Sequence, residues 1–185
     1  MQAENRKMKF NFTPFPILKT ERLILRQTSI DDCDEVLFLR SNKEVNKYVK
    51  RPTPHNLKDA QIFVGKITKG IQNGENIYWC ITLKESNKMI GSISLWNFSE
   101  DKKTGEVGYD LNPKHQNIGI MSEALNYIVN FGFNTLNLNK IEAFTHHSNE
   151  SSKKLLTKQN FVHIKHRADE DNADNIIYEL KKAST

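Results

Sequence analysis

The stretch Leu111-Asn112-Pro113-Lys114-His115-Gln116-Asn117-Ile118-Gly119-Ile120-Met121-Ser122-Glu123-Ala124 carries the residue pattern best suited to chemistry. Pro113 closes a strand, and from Ile120 to Thr135 the residues Met121, Ala124, Leu125, Ile128 and Phe131 recur on one helical face. The segment therefore reads as strand, short loop and helix start. A helix start exposes unpaired backbone N–H groups and a partial positive charge. Gly119 lets the backbone approach a guest closely, so the loop can seat an anion, usually a phosphate. The same features also suit an ordinary turn.

Other chemistry-bearing residues point nowhere so definite. Cys33 and Cys80 are the only cysteines, which excludes a disulfide framework and a four-cysteine zinc site and suits the reducing cytoplasm. His146 and His147 sit together at a strand end, where alternation sends neighbouring side chains apart, so no metal pair is expected. His115 abuts the loop and reads as an exposed side chain. The net charge is +5, which favours anionic ligands without selecting one. The basic runs are short (Lys102-Lys103, Lys153-Lys154, Lys181-Lys182), and no continuous basic patch with stacking aromatics is read, so direct nucleic-acid binding is not expected. No apolar run approaches ~18 residues and the N-terminus lacks an apolar signal core, so neither a membrane span nor secretion is expected.

The elements that must position the loop follow from the apolar pattern. The 185 residues, 37% of them hydrophobic, fit one domain with a core of its own. Residues 1–16 read as an irregular lead-in and residues 17–182 as the domain. Leu23-Ile24-Leu25-Arg26 makes a short strand. Asp31 and Asp32 suit the start of a helix carrying Val36, Leu37 and Leu39, and Asn56 caps a second helix that stops at Asn73-Gly74. Residues 77–83, 89–98 and 106–111 read as three consecutive antiparallel strands. Residues 141–145 form a strand parallel to its neighbour, because a helix connects the two. Asn149 or Ser151 starts a last helix, Asn160 closes it, and residues 161–166 and 175–180 make a final hairpin. The fold class is α+β: helices flanking a mostly antiparallel, twisted sheet of about seven strands.

Four segments in order resemble the GNAT-fold N-acetyltransferases, in particular the Rim type that acetylates ribosomal-protein N-termini. They are Leu18-Lys19-Thr20-Glu21-Arg22-Leu23-Ile24-Leu25-Arg26, Gly105-Glu106-Val107-Gly108-Tyr109-Asp110-Leu111, Gln116 to Ala124, and Asn149-Glu150-Ser151-Ser152 with Lys158-Gln159-Asn160-Phe161. Together they span about residues 17–181. The loop departs from the family's Gln/Arg-x-x-Gly-x-Gly/Ala pattern. Met121 holds the small-residue place, which is tolerable if its side chain turns into the core. Asn117 and Asn160 stand where glycine is common, and asparagine is the residue that best replaces glycine at positive φ.

The resemblance implies a fold with a parallel, splayed strand pair and acetyl transfer from acetyl-CoA to an amine. The co-substrate's diphosphate is expected on backbone N–H groups of Gln116, Asn117, Ile118, Gly119, Ile120 and Met121. Its pantetheine is expected to pair with Tyr109, Asp110 and Leu111, where a kink opens the slot, and to meet Asn149, which also caps its helix. Glu106 is the implied general base, with Asp110 a weaker rival. Leu156 stands where many members carry an acidic tyrosine, so Ser152 is the implied proton donor to the thiolate. No metal is implied. Trp96 is a candidate wall of the acceptor cleft. The acceptor pointed to is a protein N-terminal α-amine; a small amine such as a polyamine, amino sugar or antibiotic is the alternative, and basic net charge argues faintly against cationic acceptors. A non-catalytic acyl-CoA-binding module is the rival from another class. A cytoplasmic monomer or homodimer is expected.

Overall fold

The computed structural model describes residues 9–183. It contains strands β1 (Leu18–Lys19), β2 (Leu23–Gln27), β3 (Ile77–Leu83), β4 (Met89–Trp96), β5 (Thr104–Leu111), β6 (Lys140–His146), β7 (Val162–His163) and β8 (Asn175–Lys181), with helices α1 (Cys33–Ser41), α2 (Leu57–Gln72), α3 (Ile120–Asn134) and α4 (Glu150–Lys158). The strands form one sheet in the order β1-β2-β3-β4-β5-β6-β8-β7. Every pairing is antiparallel except β5 with β6. The eighth strand is the two-residue β1, too short to show a period. The strand read over residues 161–166 shrinks to Val162–His163.

Side-chain alternation along β3 explains the layering. Trp79 and Ile81 face the larger core with α3, whose Ile120, Ala124, Leu125 and Ile128 are buried there. Cys80 faces the opposite way, into a smaller cluster with Val36 and Leu39 of α1 and Ala60 and Val64 of α2. The sheet thus has helices on both faces, burying each apolar stripe. Residues 9–16 form no helix or strand but contribute to the core through Phe10 and Phe12.

Local chemistry sets the helix starts. Ahead of α1, Ser29 and Asp32 form a capping box on a short 3-10 turn, Ile30–Asp32. Asp32 is then held by Arg26 through two hydrogen bonds of 2.8 and 2.7 Å. Asn56 caps α2 and Asn149 caps α4, each accepting a backbone N–H.

The feature that positions the site is where β5 and β6 part. Their parallel pairing covers Thr104↔Lys140, Gly105↔Ile141 and Glu106↔Glu142 and then stops, although β5 continues to Leu111 and β6 to His146. On its other side β5 stays in register with β4 from Trp96↔Glu106 to Gly91↔Leu111. The kink expected from the sequence is therefore not a break in the β4 ladder; the register shift in this sheet lies between Ile81 and Thr82, against β4.

Candidate active site

The ladder pattern fixes which main-chain groups of β5 face the gap. The Asn112 N–H donates to the Ile90 carbonyl at 2.8 Å. Hydrogen-bonded pairs recur every second residue in an antiparallel ladder. Asp110 and Gly108 therefore turn their amide groups to β4, while Tyr109 and Leu111 turn theirs to the open edge beyond Glu106, the Val107 N–H being taken up by the Glu106↔Glu142 pairing. The Leu111 carbonyl on that edge accepts from Gln116 Nε2 at 3.0 Å. Of the three residues expected to line the slot, Tyr109 and Leu111 present main-chain groups to it, and Asp110 does not.

The loop that follows is built on left-handed residues. Asn117 has φ of 61° and Gly119 has φ of 83°, with Gly119 as the N-cap of α3. Alternation of left- and right-handed residues turns successive N–H groups into one concavity, here at the positive end of a 15-residue helix. The Met121 side chain is buried in the core, as is that of Ile120, while Ile118 is exposed. Arg22, which sequence reasoning assigned no role, braces this loop. Its guanidinium donates to the Ile118 carbonyl at 2.9 Å and to Glu123 at 2.7 Å, and its Nη2 lies 3.3 Å from where a Cβ on Gly119 would stand. Burial raises the Glu123 pKa, but hydrogen bonds from Thr20 and Arg22 outweigh it and hold the group ionised below the ordinary range.

The parted strands open onto a cleft of about 610 Å³ whose lining includes Glu106, Tyr109, Asn149 and Ser152, with Trp96 and Asp169. A second hollow, of about 670 Å³ between residues 27–30 and α2, contains none of the expected site residues. Glu106 is half-buried and its pKa is pushed up to about 7. Burial is the main cause; the neighbouring charges of Asp169 and Glu142 add to it, and a 3.1 Å hydrogen bond from Asn97 Nδ2 opposes it. Glu142 behaves oppositely. Burial raises its pKa, but Arg167 and Lys140 donate to it and hold it below the ordinary value. Asp110, the rival base, is engaged elsewhere: it accepts from Ser92 Oγ at 2.6 Å and pairs with Arg51 at 3.1 Å. Of these three carboxyls, Glu106 alone lines the cleft.

Across the gap, Asn149 Oδ1 accepts the Ser152 N–H at 3.1 Å, leaving the asparagine NH₂ as a donor. Ser152 Oγ lies 2.8 Å from the Tyr109 phenol. Leu156 is fully buried. His115 is half-buried beside the loop. His146 and His147 do not diverge as expected. Their rings stack at 4.5 Å, because the strand ends at His146 and the chain turns, with His147 N–H donating to the Asp174 carbonyl at 2.8 Å. Asp174 completes a cluster with ligand-type atoms within 4.8 Å of one another. The chemistry is wrong for a metal: His146 Nδ1 accepts the Ser148 N–H at 3.0 Å, so the neutral ring carries its proton on Nε2, and Asp174 already pairs with Lys50 at 2.8 Å.

Known proteins agree with this architecture. The family model for the GNAT acetyltransferase domain matches residues 22–162. An uncharacterized N-acetyltransferase of Bacillus subtilis, YoaA, is 32% identical over 147 residues, covering 80% of this chain and 83% of its own. A GNAT-family acetyltransferase from Bacillus anthracis superposes with a TM-score of 0.74 at 25% identity, over 90% of this chain and 98% of that one. The fold is also that of RimL, a ribosomal L7/L12 α-N-protein acetyltransferase solved with coenzyme A (TM-score 0.78, 16% identity, 90% and 98% covered). The match across most of the domain, on a sheet with one parted parallel pair, makes this chain a member of the GNAT acetyltransferase family and an N-acetyltransferase.

Proposed function

We propose that the chain transfers the acetyl group of acetyl-CoA to an amine by direct attack within a ternary complex, and that the acceptor is a protein N-terminal α-amine. The observation that carries this reading is Glu106: a carboxyl with a pKa near 7, in a cleft beside strands parted in the way a pantetheine arm requires.

The residues divide the work as follows. The N–H groups from Asn117 to Met121 hold the diphosphate, the expected Gln116 N–H being spent on the Pro113 carbonyl at 3.2 Å, with the fixed charge of Arg22 behind Gly119. The open edge of β5, from the Val107 carbonyl through the Tyr109 amide groups, pairs with the pantetheine amides, and the Asn149 NH₂ donates to one of their carbonyls. Holding two reactants in line is the largest gain, worth ~7–11 kcal/mol in well-oriented reactions. A main-chain N–H on the same edge is available to the thioester oxygen as charge builds there. The neutral amine, well populated at about pH 7–8 for an α-amine, attacks the thioester carbon, and Glu106 takes the one proton its nitrogen then sheds, directly or through one water. Collapse breaks the C–S bond and leaves the electron pair on sulfur, where the Ser152 hydroxyl donates to it. A base with pKa near 7 suits an α-amine, whose pKa is ~7.7–8.0, and is strained by lysine at ~10.4.

A second reading, a small cationic amine as acceptor, is favoured by one feature. Although the chain is basic overall, this cleft is lined by Glu106, Asp169 and Asp171, and Trp96 stands 45% exposed beside them. Local charge, not net charge, meets the acceptor, so the faint argument against cationic acceptors loses its force. The chain has no described helix long and apolar enough to cross a membrane, which accords with work in the cytoplasm. Turnover of acetyl-CoA against N-terminal peptides, polyamines, amino sugars and aminoglycosides tests both readings. Activity confined to peptides supports the first, activity confined to small polyamines supports the second, and no turnover with any amine overturns the mechanism.

A further inference from the structure

We propose that Tyr109 is a positioning residue for the leaving thiolate: its phenol donates to Ser152 Oγ and so turns the serine hydrogen toward the sulfur of coenzyme A. This rests on the acetyl-transfer reading above.

The two oxygens stand 2.8 Å apart although the residues are 43 positions apart, on β5 and α4. Tyr109 lies on the part of β5 that β6 no longer covers, and both residues line the cleft. A serine in the first turn of a helix usually spends its hydroxyl on the helix's own free N–H groups. Here Asn149 has taken that task, accepting the Ser152 N–H at 3.1 Å. The serine hydroxyl is thereby free for the tyrosine, although Ser152 is only 9% exposed.

A hydroxyl has one hydrogen and two acceptor sites. In a hydroxyl pair one hydrogen lies between the oxygens and the other is left over. The phenol is the stronger acid, hence the better donor, so the shared hydrogen is the tyrosine's and the spare one is the serine's. Burial pushes the Tyr109 pKa up to about 12 against the lowering effect of Ser152, so the phenol keeps its proton throughout an ordinary assay range. Donation into Ser152 Oγ polarises the serine O–H and strengthens its next hydrogen bond. Leu156, the position the resemblance marks for an acidic tyrosine, is buried and apolar; a tyrosine from the strand supplies the hydrogen bond instead. No proton need leave the pair. The amine's proton goes to Glu106, the C–S electron pair goes to sulfur, and the thiolate departs hydrogen-bonded to Ser152.

The test reads the thiol of bound coenzyme A by the ultraviolet absorbance of its thiolate as pH is raised. In the unaltered protein its pKa is expected roughly one unit below the ~8.5 of a free thiol. Tyr109→Phe keeps the ring and is expected to return that pKa to the free value and to lower kcat about tenfold, with KM for acetyl-CoA unchanged. Ser152→Ala is expected to do the same, and the double variant to do no more than either. A Tyr109→Phe protein whose bound thiol titrates as in the parent, or single effects that multiply in the double variant, overturns the proposal. Should Tyr109→Phe fail to fold, Ser152→Ala alone decides: an unmoved thiol pKa overturns the proposal as well. A parent protein that binds coenzyme A with an unshifted thiol refutes this inference only; one that binds none refutes the acetyl-transfer reading and this inference with it.

Discussion

Replacing Glu106 by glutamine separates its chemistry from its place in the fold, because the two effects have opposite signs. Glutamine keeps the size of the side chain and an oxygen to accept from Asn97 Nδ2, now 3.1 Å from the carboxylate. With a pKa of about 7, the carboxyl is about one-tenth ionised at pH 6, half at pH 7 and nine-tenths at pH 8. The parent kcat is therefore expected to climb about tenfold between pH 6 and 8 and to level off above. Glu106→Gln removes that limb and lowers kcat by ~10²–10⁴, the usual worth of a positioned base, with the acetyl-CoA dissociation constant unchanged. Stability moves the other way. The folded pKa lies above the ordinary 4.5, so the folded state holds the proton more tightly. The stability linked to this group is full below pH 4.5 and is lost as pH rises through 7. Glutamine avoids that loss, and above pH 7.5 the variant is expected to be more stable by roughly 1–2 kcal/mol, a figure reduced for partial solvent exposure. Stopped-time assays at saturating acetyl-CoA and chemical denaturation at pH 5 and 8 check both halves. A variant that keeps the parent's kcat and its pH limb removes Glu106 from the mechanism.

Other positions give independent checks. Gly119→Ala places a Cβ at φ of 83° and 3.3 Å from Arg22 Nη2; strain of ~1–2 kcal/mol at the helix start is expected to weaken coenzyme A binding about tenfold in a calorimetric titration, with kcat preserved at saturation. Asp32→Ala leaves the Arg26 guanidinium, 17% exposed, without its bidentate partner and is expected to cost ~3–5 kcal/mol in denaturant unfolding. Burial raises the Asp32 pKa, but hydrogen bonds from Arg26 and Ser29 outweigh it and set it below 3.8, so the parent's advantage over the variant shrinks as pH falls below that value. Asn160→Gly is expected to hold or slightly raise the melting temperature, and Asn160→Val to lower it, since φ there is 64°. Asp169→Asn is expected to raise KM for cationic acceptors severalfold at low salt and less at high salt, leaving KM for acetyl-CoA alone.

How far the sequence could be read depended on whether a residue's role is local. The periods of α2, α3 and the central strands follow from side-chain alternation, and the family segments lie within continuous stretches. Asn117 and Asn160 were readable because a left-handed φ is a property of a single residue, and both adopt it. The burial of Met121 followed from its place on the helical face. Long-range partners left no such trace. Nothing near Tyr109 announces Ser152, nothing near Asp110 announces Arg51, and the brace from Arg22 to Gly119 joins residues about a hundred positions apart. The Ser29–Asp32 capping box is local, but Asp31 and Asp32 satisfy two helix-start rules by themselves and so hide the part Ser29 plays. The histidine pair failed for a different reason: alternation holds inside a strand, and His147 is already in the turn.

The most direct measurement is a crystal structure of the chain with coenzyme A. The expected result places the diphosphate on the N–H groups from Asn117 to Met121 and threads the pantetheine between β5 and β6 beyond the Glu106–Glu142 pair, with the sulfur near Ser152. A diphosphate bound elsewhere, or an arm lying outside the parted strands, contradicts the mechanism at its root.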